Sequence, residues 1–153
     1  MAGFNVGTAA HKANFFDDIG KAYTKLASAE ASLKDVMIVP FATTQSDNAS
    51  YEIAVCYSKE GTEGFNYMPA VAVSTEAKIP DGLSIMQVPQ GKYAVFTYKG
   101  PASGTGDFRY SITTEYFPKS TLKRAPTPNL EINKAGIDPN DPNLIIEEWY
   151  PIL

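Results

Sequence analysis

The sequence predicts an α+β fold, in which one antiparallel sheet carries two long helices on the same face. Strand-like alternation fills most of the chain, and two stretches show the spacing of a buried helix face. A strand leads through glycine into a helix twice, at "AGFNVG" and at "AVFTYKG", and at least two strands follow each helix. These observations predict a duplicated strand-helix-strand-strand unit, whose two copies share the sheet and leave a central cleft on a pseudo-twofold axis.

The chain length fits one domain over residues 1–153. At 153 residues and 44% hydrophobic, the chain has room for one sizeable core, whereas two domains would be cramped. The first repeat is predicted at about residues 1–80 and the second at about residues 83–153, each containing one helix and its strands.

Two segments have helical spacing. The first helix is predicted from about Asn14 to Ala31, because Asn14 can cap it and apolar residues then recur every three or four positions. The second is predicted near Asp107 to Phe117, where Asp107 can cap the helix and Pro118 is expected to stop it.

Seven segments alternate like strands and are separated by Gly, Pro, Asn and Asp clusters. The strand between Gly91 and Gly100 is framed by turn-forming residues on both sides. Pro40 interrupts the second segment and weakens its strand character. The seven segments are "AGFNVG", "DVMIVPFA", "SYEIAVCYS", "YMPAVAVS", "KYAVFTYKG", "NLEIN" and "LIIEEWYPI".

Charge and composition exclude several classes of function. The net charge is -4 and no basic run is present, which argues against direct nucleic acid binding and favours cationic partners. No signal peptide or membrane span is predicted, and a single cysteine, Cys56, fits a reducing cytoplasm. His11, the only histidine, has no ligand-spaced neighbours, so neither a metal nor another cofactor is expected.

Four motifs follow one another between Val88 and Leu153. They read "VPQGKYAVFTYKGP", "TTEYFP", "PNLEIN" and "IIEEWYPIL", and "AGFNVG" and "YEIAVCYSKEG" fit the same pattern more loosely in the first half. In this order they resemble the GyrI-like small-molecule-binding domain, also called the bacterial transcription-activator effector-binding domain. No helix-turn-helix segment is predicted ahead of it, so the resemblance implies a stand-alone module that senses or sequesters a small organic ligand.

The resemblance also implies an acidic, aromatic cleft that takes an amphipathic, cationic compound. By motif position Glu131 resembles the central glutamate of the family, whereas Asn133 stands where the family commonly has Tyr. A carboxylate among apolar groups is costly unless it is paired, and a ligand cation can complete that pairing. The candidate ligand-binding residues are Glu131, Glu147, Glu148, Trp149, Tyr93, Tyr116, Tyr57 and Tyr67.

Strand alternation leaves open which glutamate of "IIEEWYPIL" faces the cleft. One face of that strand carries a carboxylate with Trp149, and the other carries a carboxylate with Tyr150. The two sets are Ile145, Glu147 and Trp149 on one face, and Ile146, Glu148 and Tyr150 on the other.

Two alternative functions remain open at this stage. Some GyrI-like proteins are hydrolases of reactive small molecules, and here Glu131 with Tyr93 or Tyr116 would activate water or protonate a leaving group. The domain could instead bind a protein, as the gyrase inhibitor of the family does. Our first interpretation is that the protein is not an enzyme, because the sequence shows no Ser-His-Asp or Cys-His set.

Overall fold

The computed structural model describes residues 1–3, 6–8, 15–37, 51–57 and 65–153. Two helices of more than one turn lie in these ranges, α1 at Phe15–Leu33 and α2 at Thr105–Ser111. Eight strands form the sheet in the same ranges: β1 Ala2–Gly3, β2 Val6–Thr8, β3 Tyr51–Tyr57, β4 Phe65–Val71, β5 Ser84–Ile85, β6 Lys92–Lys99, β7 Asn129–Lys134 and β8 Ile145–Ile152.

The sheet confirms the predicted α+β class. Its strand order is β5-β1-β4-β3-β7-β8-β6, with β2 also paired to β4, and all of the pairings are antiparallel. From the central β3–β7 pair, one side of the sheet continues with β4 and then β1, and the other side continues with β8 and then β6. On each side, these strands thus come from one half of the chain and follow the same relative order. This arrangement is the one that a duplicated strand-helix-strand-strand unit produces.

Both helices pack on one face of the sheet, which we call the helix face. Paired residues of antiparallel strands point to the same side, so Ala54, Glu131, Glu148 and Phe96 share this face through their register. Helix α1 packs Ile19 and Tyr23 against Ala54, Cys56 and Tyr67. Helix α2 contacts the same face further along, where Phe108 meets Tyr98 of β6.

The second helical segment is longer than predicted. Helix α2 runs without a break into a π-helical turn, Ile112–Tyr116, and then into a last helical turn, Phe117–Lys119. The prediction that Pro118 stops the helix is therefore wrong. Pro118 is the second residue of the last turn, and the helical segment ends one residue after it, at Lys119.

The first helix lies close to its predicted position and ends at Leu33. Its predicted cap, Asn14, lies outside the described residues. The predicted strand "DVMIVPFA" is wrong in its described part, because Asp35 and Val36 form a turn and Met37 makes one isolated bridge to Val73. In the described part, the turn follows directly from the end of α1.

The face opposite the helices carries the larger apolar cluster. Ile53, Val55, Met68, Leu130 and Ile132 are buried there, together with Ala70. The chain before β6 covers part of this cluster through Met86 and Val88, and the short strand β5, which the sequence does not predict, begins this covering segment. Within the described ranges, no helix combines the length and the apolar character that crossing a membrane requires.

Two glycines frame strand β6, and Gly100 is the one that the backbone conformation requires. Its φ is +151°, and a Cβ added there would lie 2.6 Å from the hydroxyl of Tyr98. That hydroxyl donates a 2.9 Å hydrogen bond to the carbonyl of Pro101, so it cannot move away without losing a bond. Gly91, at the other end of the strand, has open space around its Cα.

We therefore expect Gly100→Ala to lower the free energy of unfolding by about 1–3 kcal/mol, since it combines backbone strain with a clash. Gly91→Ala is the matched control and should change stability by less than about 0.5 kcal/mol. Urea denaturation of the two variants checks this prediction. Equal losses for both would show that the constraint at Gly100 has no energetic weight.

Candidate functional site

Two glutamates lie side by side on the helix face. Glu131 of β7 and Glu148 of β8 are register partners, with 7% and 0% of their surfaces exposed. Buried carboxylates lose their hydration, so such a pair persists only where cations, protons or hydrogen bonds compensate. We call these two residues the acid pair.

Arg109 of α2 provides the compensating cation. Its Nε donates to Glu148 Oε1 at 2.5 Å, and its Nη2 forms an ion pair with Glu131 Oε2. Its side chain is 18% exposed, against 9% for Glu131, so the arginine is the more exposed partner. Burial alone would lower the pKa of Arg109, but the Glu131 and Glu148 carboxylates hold that pKa above its ordinary value, and the guanidinium stays charged.

Two tyrosines complete the polar contacts of the acid pair. Tyr67 donates a 2.5 Å hydrogen bond to Glu131 Oε1, and the hydroxyls of Tyr67 and Tyr23 lie 3.1 Å apart. Burial, followed by the Glu131 carboxylate, raises the pKa of both phenols, which therefore remain protonated donors. The Tyr67 ring also faces Arg109, with Cζ 5.9 Å from the ring centroid.

The acid pair has one charge more than Arg109 neutralises. Glu148 Oε2 is buried and has no hydrogen-bond partner among the described residues. Burial, opposed by Arg109 and reinforced by Glu131, raises the pKa of Glu148 to about 8. The pair therefore retains a proton when Arg109 is the only cation present.

An open groove of about 430 Å³ with three aromatic side chains, which we call the aromatic cavity, is formed by the second helical segment and β6. Phe96 lines it and is the register partner of Glu148, although neither glutamate of the acid pair is part of the lining. Phe96 and Tyr116 meet edge to face there, with ring centroids 4.8 Å apart. The full lining is Phe96, Phe108, Ser111, Ile112, Glu115, Tyr116, Lys119 and Ser120.

The structure divides the eight candidate residues between the two sides of the sheet. Glu131, Glu148 and Tyr67 meet at the helix face, and Tyr116 lies in the helical segment above it. On the opposite face Trp149 donates to Glu147 Oε2 at 2.9 Å and packs against Tyr93, with centroids 5.8 Å apart. The fourth residue of that face, Tyr57, packs against its apolar cluster.

Asn133 contributes a polar contact to the helix face. It donates a 3.2 Å hydrogen bond to Glu52 Oε2, and the two residues are register partners on β7 and β3. The aromatic wall that a tyrosine at position 133 would supply is therefore replaced by an amide next to a carboxylate.

The residues proposed for hydrolysis do not converge. The Tyr93 hydroxyl donates to the carbonyl of Pro89 at 3.3 Å on the opposite face, and Tyr116 packs on Phe96. The contact between a carboxyl oxygen and a phenol that hydrolysis would need is made by Tyr67 with Glu131.

Sequence reasoning missed Arg109 and Tyr23. Arg109 lies three residues before Ile112 and seven before Tyr116, so it belongs to the same helical stripe as these two inward residues. A charged residue within an apolar stripe is the signal that could have identified it. Tyr23 lies on the side of α1 that packs on the sheet, and its hydroxyl contact with Tyr67 could not be read from spacing.

Metal-binding chemistry has no visible basis in the described ranges. There, no three His, Cys, Asp or Glu side chains are grouped so that they could hold a metal ion. Cys56 is buried beside the acid pair, and burial raises the pKa of its thiol, which favours the unreactive protonated form. His11 lies outside the described residues.

The family model described as integron-associated effector binding protein, Cass2, matches residues 1–152. The chain belongs to this family. The resemblance to GyrI-like effector-binding domains is thereby confirmed, and small-molecule binding is the function of the class.

Known relatives of this Cass2 member share parts of its sequence or its fold. The transcriptional regulator BrlR of Pseudomonas aeruginosa is 29% identical over 108 residues, which make up 64% of this chain and 36% of the regulator. The chain thus matches about a third of that relative's length.

Two solved structures show the same fold. SAV2435 bound to tetraphenylphosphonium has a TM-score of 0.63 at 15% identity, covering 99% of this chain and 87% of its own. An integron cassette protein from the mobile metagenome of Vibrio cholerae has a TM-score of 0.56 at 20% identity, covering 99% and 88%.

Proposed function

We propose that the protein binds an amphipathic organic cation at the acid pair, with the apolar part of the ligand in the neighbouring aromatic cavity. The observation that carries the proposal is the position of the Arg109 guanidinium. A delocalised cation already lies between Glu131 and Glu148, against the ring of Tyr67. A ligand cation of the same charge would find the same partners.

The chemistry of the surroundings favours a lipophilic cation over a small inorganic one. The acid pair is buried, so a strongly hydrated ion would lose most of its water on entering. A large organic cation carries little hydration to lose and gains apolar burial against Phe96, Phe108 and Tyr116. The structural relative SAV2435 is bound to tetraphenylphosphonium, a cation of this class, which supports the choice of ligand.

The proposal predicts that Glu131→Gln weakens binding of tetraphenylphosphonium by about 10- to 100-fold, equivalent to about 1.4–2.8 kcal/mol. The substitution keeps the shape of the side chain and removes one of the two carboxyl groups of the acid pair. Uncharged triphenylphosphine oxide should lose much less affinity, because it carries no net charge for the Glu131 carboxylate to attract. Calorimetric titration of both proteins with both compounds provides the measurement.

Glu147→Gln is the matched control, since Glu147 is also buried but lies on the neighbouring strand β8 and points to the opposite face of the sheet. It should leave the affinity for tetraphenylphosphonium unchanged. A loss in Glu147→Gln with none in Glu131→Gln would transfer the ligand site to the opposite face, near Trp149 and Tyr93. Equal losses for the cation and the neutral compound in Glu131→Gln would contradict a charge-selective site.

Hydrolysis of a reactive small molecule is the second candidate, favoured by the 2.5 Å contact between Tyr67 and Glu131. In that case the phenol would protonate a leaving group and the carboxylate would direct water. Turnover of an activated aryl ester should then be abolished by Tyr67→Phe, which leaves the ring in place. Unchanged turnover in Tyr67→Phe would eliminate this candidate.

A further inference from the structure

We propose that Arg109 is an internal competitor of the ligand, which occupies the cation position of the acid pair and must leave before a ligand cation can bind there. The inference rests on the proposed function and adds a regulatory step to it. The unliganded site is closed by the protein's own guanidinium, and ligand binding is an exchange of one cation for another.

The geometry shows that the two cations compete for the same atoms. Nη2 of Arg109 contacts Glu131 Oε2 and Nε contacts Glu148 Oε1, while Tyr67 uses Glu131 Oε1. The carboxyl oxygen left over is Glu148 Oε2, which is buried and has no partner in the described part of the chain. Because Tyr67 holds the other oxygen of Glu131, a ligand cation that pairs with both carboxylates has to take the Glu131 oxygen that Arg109 contacts.

Arg109 can leave without unfolding of the sheet. Its side chain is 18% exposed, whereas that of Glu148 has no exposed surface, so Arg109 is the more accessible partner of this ion pair. A long side chain at this position can swing outward and keep its charge hydrated. The π-helical turn Ile112–Tyr116 begins three residues later, and such turns are concentrated at functional sites.

The exchange makes the site selective, because a ligand binds only if its contacts outweigh those of Arg109. Displacing Arg109 costs the free energy of its two charge-assisted hydrogen bonds, and the ligand must supply that free energy from its own contacts. Small cations offer no apolar surface, so they cannot supply it by apolar burial. A lipophilic cation can supply it by burying apolar surface against Phe96, which lines the aromatic cavity and is the register partner of Glu148. The internal arginine would thus reject abundant inorganic cations and admit amphipathic ones.

The experiment uses the Nε–H signals of the intact protein in ¹⁵N NMR. The chain has two arginines, Arg109 and Arg124, so Arg124→Gln assigns both signals and serves as the control. In the free protein the Nε–H of Arg109 is expected to be protected from exchange with water, because it donates to Glu148. Saturation with tetraphenylphosphonium should abolish that protection and leave the Arg124 signal unchanged.

Affinity provides the second measurement. Arg109→Gln should bind tetraphenylphosphonium about 10- to 100-fold more tightly than the wild type, because no internal cation has to be displaced. Arg124→Gln, which removes the same charge from an exposed position, should change the affinity by less than about threefold. If Arg109→Gln does not fold, Arg109→Lys keeps the charge but loses the forked contact, and it should still bind the ligand more tightly than the wild type.

Chemical rescue separates the failure of this inference from the failure of the proposed function. Millimolar methylguanidinium should raise the melting temperature of Arg109→Gln more than the same concentration of sodium chloride does, and it should not raise that of the wild type. Rescue without tetraphenylphosphonium binding to the wild type would support an exchangeable arginine and contradict the proposed ligand. Binding of tetraphenylphosphonium with Arg109 Nε–H still protected, or weaker binding in Arg109→Gln, would overturn the inference.

Discussion

Arg109→Met lowers the free energy of unfolding by about 3–5 kcal/mol, the expected cost of removing one partner from a buried ion pair. The loss arises because Glu131 and Glu148 would remain buried without their cation, and Glu148 has no exposed surface through which water could compensate. Chemical denaturation at pH 7 measures this cost. The structure places the effect in the carboxylates rather than in the packing of the arginine itself.

Two further variants test where the energy resides. In the triple variant Arg109→Met, Glu131→Gln and Glu148→Gln, most of the loss should be recovered, because no uncompensated buried charge remains. Arg124→Met should cost no more than about 1 kcal/mol, since the Arg124 guanidinium is exposed and lies 4.8 Å from the centroid of Tyr150. A triple variant as unstable as Arg109→Met alone would show that the arginine stabilises the fold by packing.

The sequence predicts the sheet better than it predicts the contacts made above it. Strands such as Tyr51–Tyr57 and Lys92–Lys99 follow from local alternation, and each has turn residues at its ends. The predicted strand at 35–42 is wrong in its described part, residues 35–37, because apolar content alone does not distinguish a strand from the turn that closes α1. The extents of the two repeats along the chain stay a prediction.

The site depends on the register between strands, which no local pattern encodes. Alternation establishes that Glu147 and Glu148 point to opposite faces, but only the pairing of β7 with β8 places Glu148 next to Glu131. The partner of both carboxylates, Arg109, comes from a helix that precedes these strands by more than a dozen residues. Its selection depends on how α2 docks, which is a tertiary property.

The stability of the protein is expected to fall as pH rises from about 4.5 to about 8, because Glu148 keeps its proton when folded. Burial raises the pKa of Glu148 from 4.5 to about 8, so the folded state binds a proton that the unfolded state has already lost. The stabilisation from Glu148 is complete below its unfolded pKa and disappears as pH rises through its folded pKa. The slope should not exceed about 1.4 kcal/mol per pH unit, and the loss over the window should be about 2–4 kcal/mol.

Glu148→Gln isolates this dependence, since it keeps the shape of the side chain and cannot titrate. Other groups change with pH as well: burial lowers the pKa of the Met1 amino group, which by itself makes stability rise with pH just below 8. Subtracting the stability of Glu148→Gln from that of the wild type at each pH cancels such contributions. The difference should decrease from pH 5 to pH 8. Parallel curves for the wild type and Glu148→Gln would show that Glu148 does not hold a proton in the folded state at these pH values.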